Sequence, residues 1–175
     1  MRRVLAFYKF TPVADPADHA EELQRMGEQL GVVGTILLAE EGVNGTIVAE
    51  MASLDAMVRT LETVFGAMTF KCSDLDQSGV GFHRFKVRIK PEIVSFGVAG
   101  LDLQQTGEHV DGARWNELLD DPDVLVIDTR NQYEIDIGTF DNAVSPDTEN
   151  FREFPQWVQD NIDPAKQRKV AMFCT

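Results

Sequence analysis

The chain holds few cysteines and histidines, and this scarcity limits the chemistry that it can support. It has two cysteines, Cys72 and Cys174, and three histidines among 175 residues. The cysteines lie too far apart for the paired spacing of a zinc site and are too few for a disulfide framework. We therefore expect free thiols and no metal centre. We also expect no hydrolase triad, because no histidine has an obvious serine or cysteine partner in the sequence.

Long apolar runs are also missing. No stretch approaches the roughly 18 residues that a membrane-spanning helix requires. The basic residues Arg2 and Arg3 precede a short apolar stretch that Lys9 interrupts, and this arrangement does not fit a secretory signal peptide. The sequence therefore predicts a cytoplasmic protein with no membrane partner.

Basic residues are scarce in the second half of the chain. The net charge is −13; residues 1–100 hold 13 acidic and 10 basic residues, whereas residues 101–175 hold 16 acidic and 6 basic residues. An acidic surface repels nucleic acid at long range. Any polyanionic partner must therefore be bound mainly by the first half.

The first half alternates between strand and helix patterns. Segments rich in β-branched and apolar residues predict four strands, at residues 4–10, 32–38, 46–48 and 68–72. Asp15 followed by Pro16 predicts one helix start and Ser53 predicts the other, while residues 41–45 predict a turn. The resulting order is that of a ferredoxin-like domain, with two helices on one face of an antiparallel sheet.

A row of cations extends this half. Arg84, Lys86, Arg88 and Lys90 alternate with apolar residues, so on a strand they project from one side. Such a row can bind the phosphate backbone of a nucleic acid. It can equally protect an edge strand from aggregation or pair with the acidic residues of 101–175, and the pattern does not choose between these roles.

The second half reads as a parallel α/β unit after a polar linker. Apolar strands at residues 124–127 and 169–173 are separated by a helical segment, as in a βαβ unit. The first strand leads into Asp128 and Arg130, and the second ends at Cys174. Ligands bind outside the carboxyl ends of parallel strands, so we expect these three residues to lie together. Cys174 is then either a reactive thiolate or an inert buried cysteine, and Cys72 is expected to be structural.

Several motifs resemble one known family. Residues 128–143 resemble the first signature of rhodanese-like domains, and residues 170–175 resemble the strand that carries the rhodanese cysteine. Three further blocks narrow the match, namely Glu41-Gly42-Val43-Asn44-Gly45-Thr46, Phe85-Lys86-Val87-Arg88-x-Lys90 and Phe151-Arg152-Glu153-Phe154-Pro155. Together they resemble the oxygen-dependent tRNA uridine-34 hydroxylases, which are rhodanese-related, over essentially the whole chain.

The resemblance implies an α/β fold of two parts. A ferredoxin- or acylphosphatase-like domain with an extra strand occupies residues 1–97, a linker occupies 98–108, and part of a rhodanese-like domain occupies 109–175. The implied activity is hydroxylation of the wobble uridine of tRNA to 5-hydroxyuridine, with molecular oxygen as co-substrate and no recognised metal or flavin cofactor. By the same resemblance Cys174 is a persulfide-type catalytic residue supported by Asp128 and Arg130.

Two other functions stay open from the residues. A sulfurtransferase would use the same reactive thiolate to pass on sulfane sulfur, and a binding module would use neither Cys174 nor catalysis. Members of the resembled family continue past this cysteine with a glycine-containing loop, an arginine, and further strand and helix. The resemblance therefore predicts that the 175 residues are an incomplete form with little activity of their own.

Overall fold

A computed structural model describes residues 2–75, 81–98, 100–102, 106–166 and 169–174. Within the predicted linker, residues 99 and 103–105 lie outside this range, as does Thr175 at the end of the cysteine motif. The chain divides into two compact units, Met1–Val94 and Ser95–Thr175. No helix among the described residues is both long and apolar enough to cross a membrane.

The first unit is a five-stranded sheet with two helices. Its elements, in chain order, are β1 (Arg2–Phe10), α1 (Pro16–Gln29), β2 (Val33–Ala39), β3 (Gly42–Glu50), α2 (Met51–Phe65), β4 (Phe70–Asp74) and β5 (Phe85–Ile89). The strands lie in the order β4-β1-β3-β2-β5. The first four pair in antiparallel fashion, and β5 pairs in parallel with β2 at the edge. The predicted alternation of strands and helices is confirmed.

The helix starts differ in detail from the sequence prediction. Asp15 stands before α1, but it adopts a left-handed backbone (φ 50°) and its side chain makes no capping hydrogen bond. Ser53 does not start α2, because that helix begins at Met51 after Glu50. The Ser53 hydroxyl donates instead to the carbonyl oxygen of Leu30 at 2.9 Å, so it ties α2 to the end of α1.

The predicted turn at residues 41–45 was wrong, because this glycine-rich segment lies almost wholly within β3. A Cβ atom on Gly42 would collide with the carbonyl oxygen of Lys9, and one on Gly45 would lie 2.7 Å from Cζ of Phe7. The glycines therefore permit close packing against β1 rather than chain reversal. Two polar side chains of the same segment bind the backbone of Ile93. Glu41 Oε1 accepts from the Ile93 amide at 2.8 Å, and Asn44 Nδ2 donates to the Ile93 carbonyl at 2.9 Å.

The core of the first unit lies between the helices and one face of the sheet. Strand register places alternate side chains on that face, where they meet the apolar stripes of the helices. The buried cluster comprises Leu5, Phe7, Val13, Leu23, Val32, Ile36, Leu38, Val43, Ile47, Ala49, Leu54, Met57, Leu61, Phe65 and Phe85. Among the described residues of this unit, no helix packs on the opposite face of the sheet.

The second unit has a smaller sheet than the first, with two strands instead of five. It contains α3 (Gly112–Asp120), β6 (Val124–Asp128), α4 (Gln132–Ile135), a 3-10 turn (Phe151–Glu153), α5 (Phe154–Asn161) and β7 (Lys169–Phe173). As expected, β6 and β7 are parallel, with Asp128 opposite Phe173. Val144 makes a further parallel bridge to Ile127, so β6 has a partner on each side.

Candidate functional site

The carboxyl ends of β6 and β7 meet, and this brings Cys174 to the end of β6. The backbone amide and the hydroxyl of Thr129 both donate to the carbonyl oxygen of Phe173, at 3.0 and 2.8 Å. These bonds fix the residue after β6 against the residue before the cysteine. The structure thus places Asp128, Arg130 and Cys174 at one edge of the small sheet, and the Cys174 thiol is exposed rather than buried.

Asp128 is the buried centre of this edge, with 0% of its surface exposed. Its carboxylate accepts from Arg130 Nε at 2.9 Å, Arg130 Nη2 at 2.7 Å, the Arg130 amide at 3.1 Å and the Thr139 hydroxyl at 2.7 Å. Burial alone would raise the pKa of Asp128. The hydrogen bonds from Arg130 and Thr139 outweigh it, so the pKa is lowered and the carboxylate stays ionised.

Arg130 is held in one orientation by three different contacts. Its bidentate pair with Asp128 is joined by a 2.7 Å hydrogen bond from Nη2 to the carbonyl oxygen of Gly138. The guanidinium carbon lies 5.4 Å from the ring centroid of Phe173. The hydrogen bond to Asp128 raises the pKa of Arg130, and Coulombic attraction to Asp128, Glu134 and Cys174 acts in the same direction.

Cys174 and Arg130 line one open pocket. Its volume is about 360 Å³ and its walls are formed by Arg130, Gly138, Thr139, Phe140, Phe173 and Cys174. The rings of Phe140 and Phe173 pack edge to face with centroids 5.0 Å apart, and Trp115 contacts both of them. The pocket therefore combines an exposed thiol, one fixed cation and aromatic walls.

Sequence reasoning assigned no role to Thr139, Phe140, Phe173 or Trp115. Thr139 and Phe140 lie in the motif that resembles rhodanese-like domains, and this was the available signal. Thr139 and Phe140 belong to the site because the chain at Gly138 folds back toward the end of β6. There Gly138 accepts from Arg130, and Thr139 donates to Asp128. Among the described residues, no group of three or more histidine, cysteine or acidic side chains is arranged to hold a metal ion.

The cation row lies in the first unit, at the edge strand β5. Lys86 and Arg88 are within this strand, and Arg84 and Lys90 flank it. The carbonyl oxygen of Arg84 accepts from the Gly34 amide at 3.0 Å, and the Lys90 amide donates to the Leu38 carbonyl at 2.8 Å. None of the four cations forms an ion pair with a described residue of the first unit. Cys72, predicted to be structural, is an exposed residue of β4.

Comparison with known proteins gives a family and a relative. Residues 2–93 match the profile of the family described as the UPF0176 acylphosphatase like domain, in agreement with the predicted fold. The chain is 47% identical over 174 residues to a tRNA uridine(34) hydroxylase of Synechocystis sp. (strain ATCC 27184 / PCC 6803 / Kazusa). That alignment covers 99% of the chain and 63% of the relative's length, so the chain spans less than two thirds of the relative.

Solved structures resemble about half of the chain at low similarity. An acylphosphatase from Coxiella burnetii aligns with a TM-score of 0.36 and 13% identity, covering 50% of this chain and 90% of its own. The Klebsiella pneumoniae BlrP1 structure aligns with a TM-score of 0.43 and 13% identity, covering 51% of this chain and 24% of its own. At these scores neither structure carries an argument about function.

Proposed function

The chain belongs to the family of the UPF0176 acylphosphatase-like domain, and we propose that its function is tRNA modification, the oxygen-dependent hydroxylation of the wobble uridine to 5-hydroxyuridine. The observation that carries this proposal is the 47% identity, along 99% of the chain, to a tRNA uridine(34) hydroxylase. The chain then forms part of an oxidoreductase that acts in the cytoplasm on a tRNA substrate.

In this proposal Cys174 is the catalytic residue. Its exposed thiol faces a pocket that is large enough for a planar base, and aromatic rings such as those of Phe140 and Phe173 are suited to contact one. Arg130 supplies a fixed positive charge in the pocket that Cys174 also lines, and such a charge can hold an anionic group there. Asp128 is a positioning residue, because it reaches the pocket through Arg130 and Thr139.

The proposed reaction uses molecular oxygen as co-substrate and no metal or flavin. One oxygen atom enters the uracil ring, and the second leaves as water with two electrons and two protons from an external reductant. The residues of this chain would hold the base and exclude solvent from it. The product separates this activity from sulfur transfer, which would add sulfur rather than oxygen to an acceptor.

The RNA partner would be bound by the first unit. Arg84, Lys86, Arg88 and Lys90 are the proposed contacts, because they lie at an exposed edge strand without ion pairs to described residues of that unit. Neutralising phosphates releases counterions, so such contacts make affinity depend on salt. Charge reversal at Arg84, Lys86 and Arg88 should weaken tRNA binding and flatten its salt dependence.

The catalytic proposal is tested on tRNA from cells that lack the gene and carry it back in variant form. We expect the Cys174→Ser variant to abolish 5-hydroxyuridine, measured by mass spectrometry of digested tRNA. The Cys72→Ser variant is the matched control, since it removes the other exposed cysteine, and it should leave the modification intact. Growth under isotopically labelled oxygen gas should place the heavy atom in the nucleoside.

Three results would overturn the proposal. Normal 5-hydroxyuridine in the Cys174→Ser cells would remove the catalytic role of that residue. An unlabelled hydroxyl group would exclude molecular oxygen as its source. Loss of a thiolated product with unchanged 5-hydroxyuridine would favour the sulfurtransferase instead.

A further inference from the structure

One face of the first unit's sheet is not covered by α1 or α2, the described helices of this unit, and we call it the open face. Pairing register places one row of side chains across it, from edge to edge, comprising Lys71, Ala6, Thr46, Thr35 and Lys86. A second row comprises Tyr8, Asn44, Leu37 and Arg88. Its centre is partly covered, because Asn44 donates to the carbonyl oxygen of the buried Ile93. Both outer strands, β4 and β5, therefore contribute cations to this face.

Cations on the two faces of the sheet differ in their partners. On the face toward the helices, Arg3 pairs with Asp74 at 2.8 Å, and Lys9 donates to the carbonyl oxygens of Phe65 and Ala67 at 2.6 and 2.9 Å. On the open face, Arg2 donates to the carbonyl oxygens of Val48 and Gly31 at 3.4 and 3.5 Å. The other cations of this face, Lys71, Lys86 and Arg88, have no ion pair with a described residue of the first unit. The positive charge that is not used within the fold thus lies on one side.

Charge is segregated between helices and strands throughout this unit. Helices α1 and α2 carry six acidic and two basic residues, whereas strands β1 to β5 carry two acidic and six basic residues. Of the two strand acids, Asp74 pairs with Arg3 and Glu50 stands at the far end of β3. The slightly negative net charge of the first half therefore conceals a sheet side that attracts anions.

Aromatic residues occur on the same face. Tyr8 is 56% exposed and lies in β1, next to the edge strand β4 and one residue beyond the last pair between these strands. Phe10, two residues along the same strand, packs against it edge to face with ring centroids 6.4 Å apart. An exposed ring on a strand flanked by cations is the combination that binds unpaired bases, because the ring stacks on a base while the cations hold phosphates.

We propose that the open face binds single-stranded RNA, with Tyr8 stacking on a base and with Lys71 on one edge and Lys86 and Arg88 on the other holding phosphates. This inference rests on the proposed function, which requires an unpaired uridine in a tRNA loop. The outer strands are four strand spacings apart, or roughly 19 Å, which suits a short single strand. Lys71 and Tyr8 extend the RNA contacts well beyond the cation row at β5.

The test measures RNA binding by the 175-residue chain with fluorescence anisotropy over a range of salt concentrations. The probes are a labelled RNA hairpin with a uridine-containing loop and a labelled blunt RNA duplex. Lys71→Glu should weaken hairpin binding by about 5- to 10-fold and reduce the salt slope by about 1. Tyr8→Ala should weaken hairpin binding by at least about fivefold, with little change for the duplex, whereas Tyr8→Phe should bind nearly normally.

The matched control is Arg25→Glu, which makes the same charge change on the exposed surface of α1 and should leave hairpin affinity within about twofold, since exposed charges farther apart than a Debye length are largely screened. Equal losses for Lys71→Glu and Arg25→Glu would overturn the open face as the site. A duplex bound as tightly as the hairpin would overturn the preference for single strands.

Two results distinguish this inference from the enzymatic function. Normal 5-hydroxyuridine in cells carrying Lys71→Glu together with Tyr8→Ala would overturn the open face and leave the hydroxylase standing. Persistence of 5-hydroxyuridine in Cys174→Ser cells, combined with the expected binding losses, would overturn the catalytic role of Cys174 and leave the open face standing.

Discussion

The two units of this protein differ in the kinds of side chain that they bury. Among the described residues, 18 apolar side chains are buried in the first unit and four in the second, where the buried set also includes Asp128. In the second unit Val170 and Met172 of β7 are 41% and 56% exposed, although parallel strands are usually covered on both faces. The first unit is therefore held mainly by apolar burial, whereas the second combines a few buried apolar side chains with one buried, hydrogen-bonded carboxylate.

This difference teaches where each unit is vulnerable. Removing one apolar side chain from a large core leaves most of its contacts intact, at a cost set by the cavity. Removing one partner of a buried ion pair leaves the other charge without compensation. The same polar centre in the second unit orients Arg130 at the pocket, so its stability and its proposed chemistry depend on the same atoms.

The largest expected effect is that of Asp128→Ala. The variant removes four hydrogen bonds and leaves Arg130 unpaired, which should lower the free energy of unfolding of the second unit by about 3 kcal/mol. Both tryptophans, Trp115 and Trp157, lie in this unit. Denaturation followed by tryptophan fluorescence should therefore shift strongly, while far-UV circular dichroism retains the transition of the first unit.

Two control variants test whether the effect of Asp128→Ala is specific to that carboxylate and to the second unit. Asp141→Ala changes an exposed carboxylate in the same unit and should leave the fluorescence transition in place. Leu61→Ala changes a fully buried residue of the first unit and should shift the circular dichroism transition alone. If Asp128→Ala and Leu61→Ala shift both signals together, the two units unfold as one and the comparison fails.

A medium effect is expected from Gly27→Ala in α1. Alanine favours an isolated helix by about 1 kcal/mol over glycine, but here its Cβ would collide with the buried ring of Phe85. Overpacking should win and destabilise the first unit by about 1–2 kcal/mol, seen as a lower midpoint in the circular dichroism transition. Glu21→Ala, at an exposed position of the same helix, is the control; a stabilised Gly27→Ala variant would contradict the packing described for Phe85.

The smallest expected effect is a pH dependence confined to the second unit. The pKa of Asp128 is lower in the folded state than its ordinary value, so its contribution to stability is complete at neutral pH. It declines as the pH falls below about 5 and is lost below the folded pKa. Asp128→Asn should flatten this decline in fluorescence-monitored unfolding, whereas Asp141→Asn should not; equal slopes for both variants would contradict the assignment.

Sequence patterns predicted the elements of this fold better than the contacts between them. Periodicity identified all four strands and both helices of the ferredoxin-like order because it records which side chains are buried. It failed at Ser53, whose hydroxyl serves α1 rather than its own helix, and at residues 41–45, whose glycines pack against β1. Such choices depend on neighbours that are distant in sequence.

The candidate site shows the same division. The meeting of Asp128, Arg130 and Cys174 followed from the rule that parallel strands end together. The hydrogen bond from Thr139 to Asp128 and the packing of Trp115 against Phe173 did not, because each depends on residues that are distant in sequence. On the open face, the alternating cations of β5 were visible in the sequence, but Lys71 joins them only through the register of β1 and β4.

Glu41 and Asn44 hold both backbone groups of Ile93, which is 2% exposed. A shortened protein that ended at Lys90 would leave the Glu41 carboxylate and the Asn44 carboxamide without these hydrogen bonds. It would also expose the surface that Ile93 covers. One that ended at Val94 would keep this closure. The segment after β5 is thus part of the packed structure of the first unit. The two units are best separated for independent expression just beyond Val94.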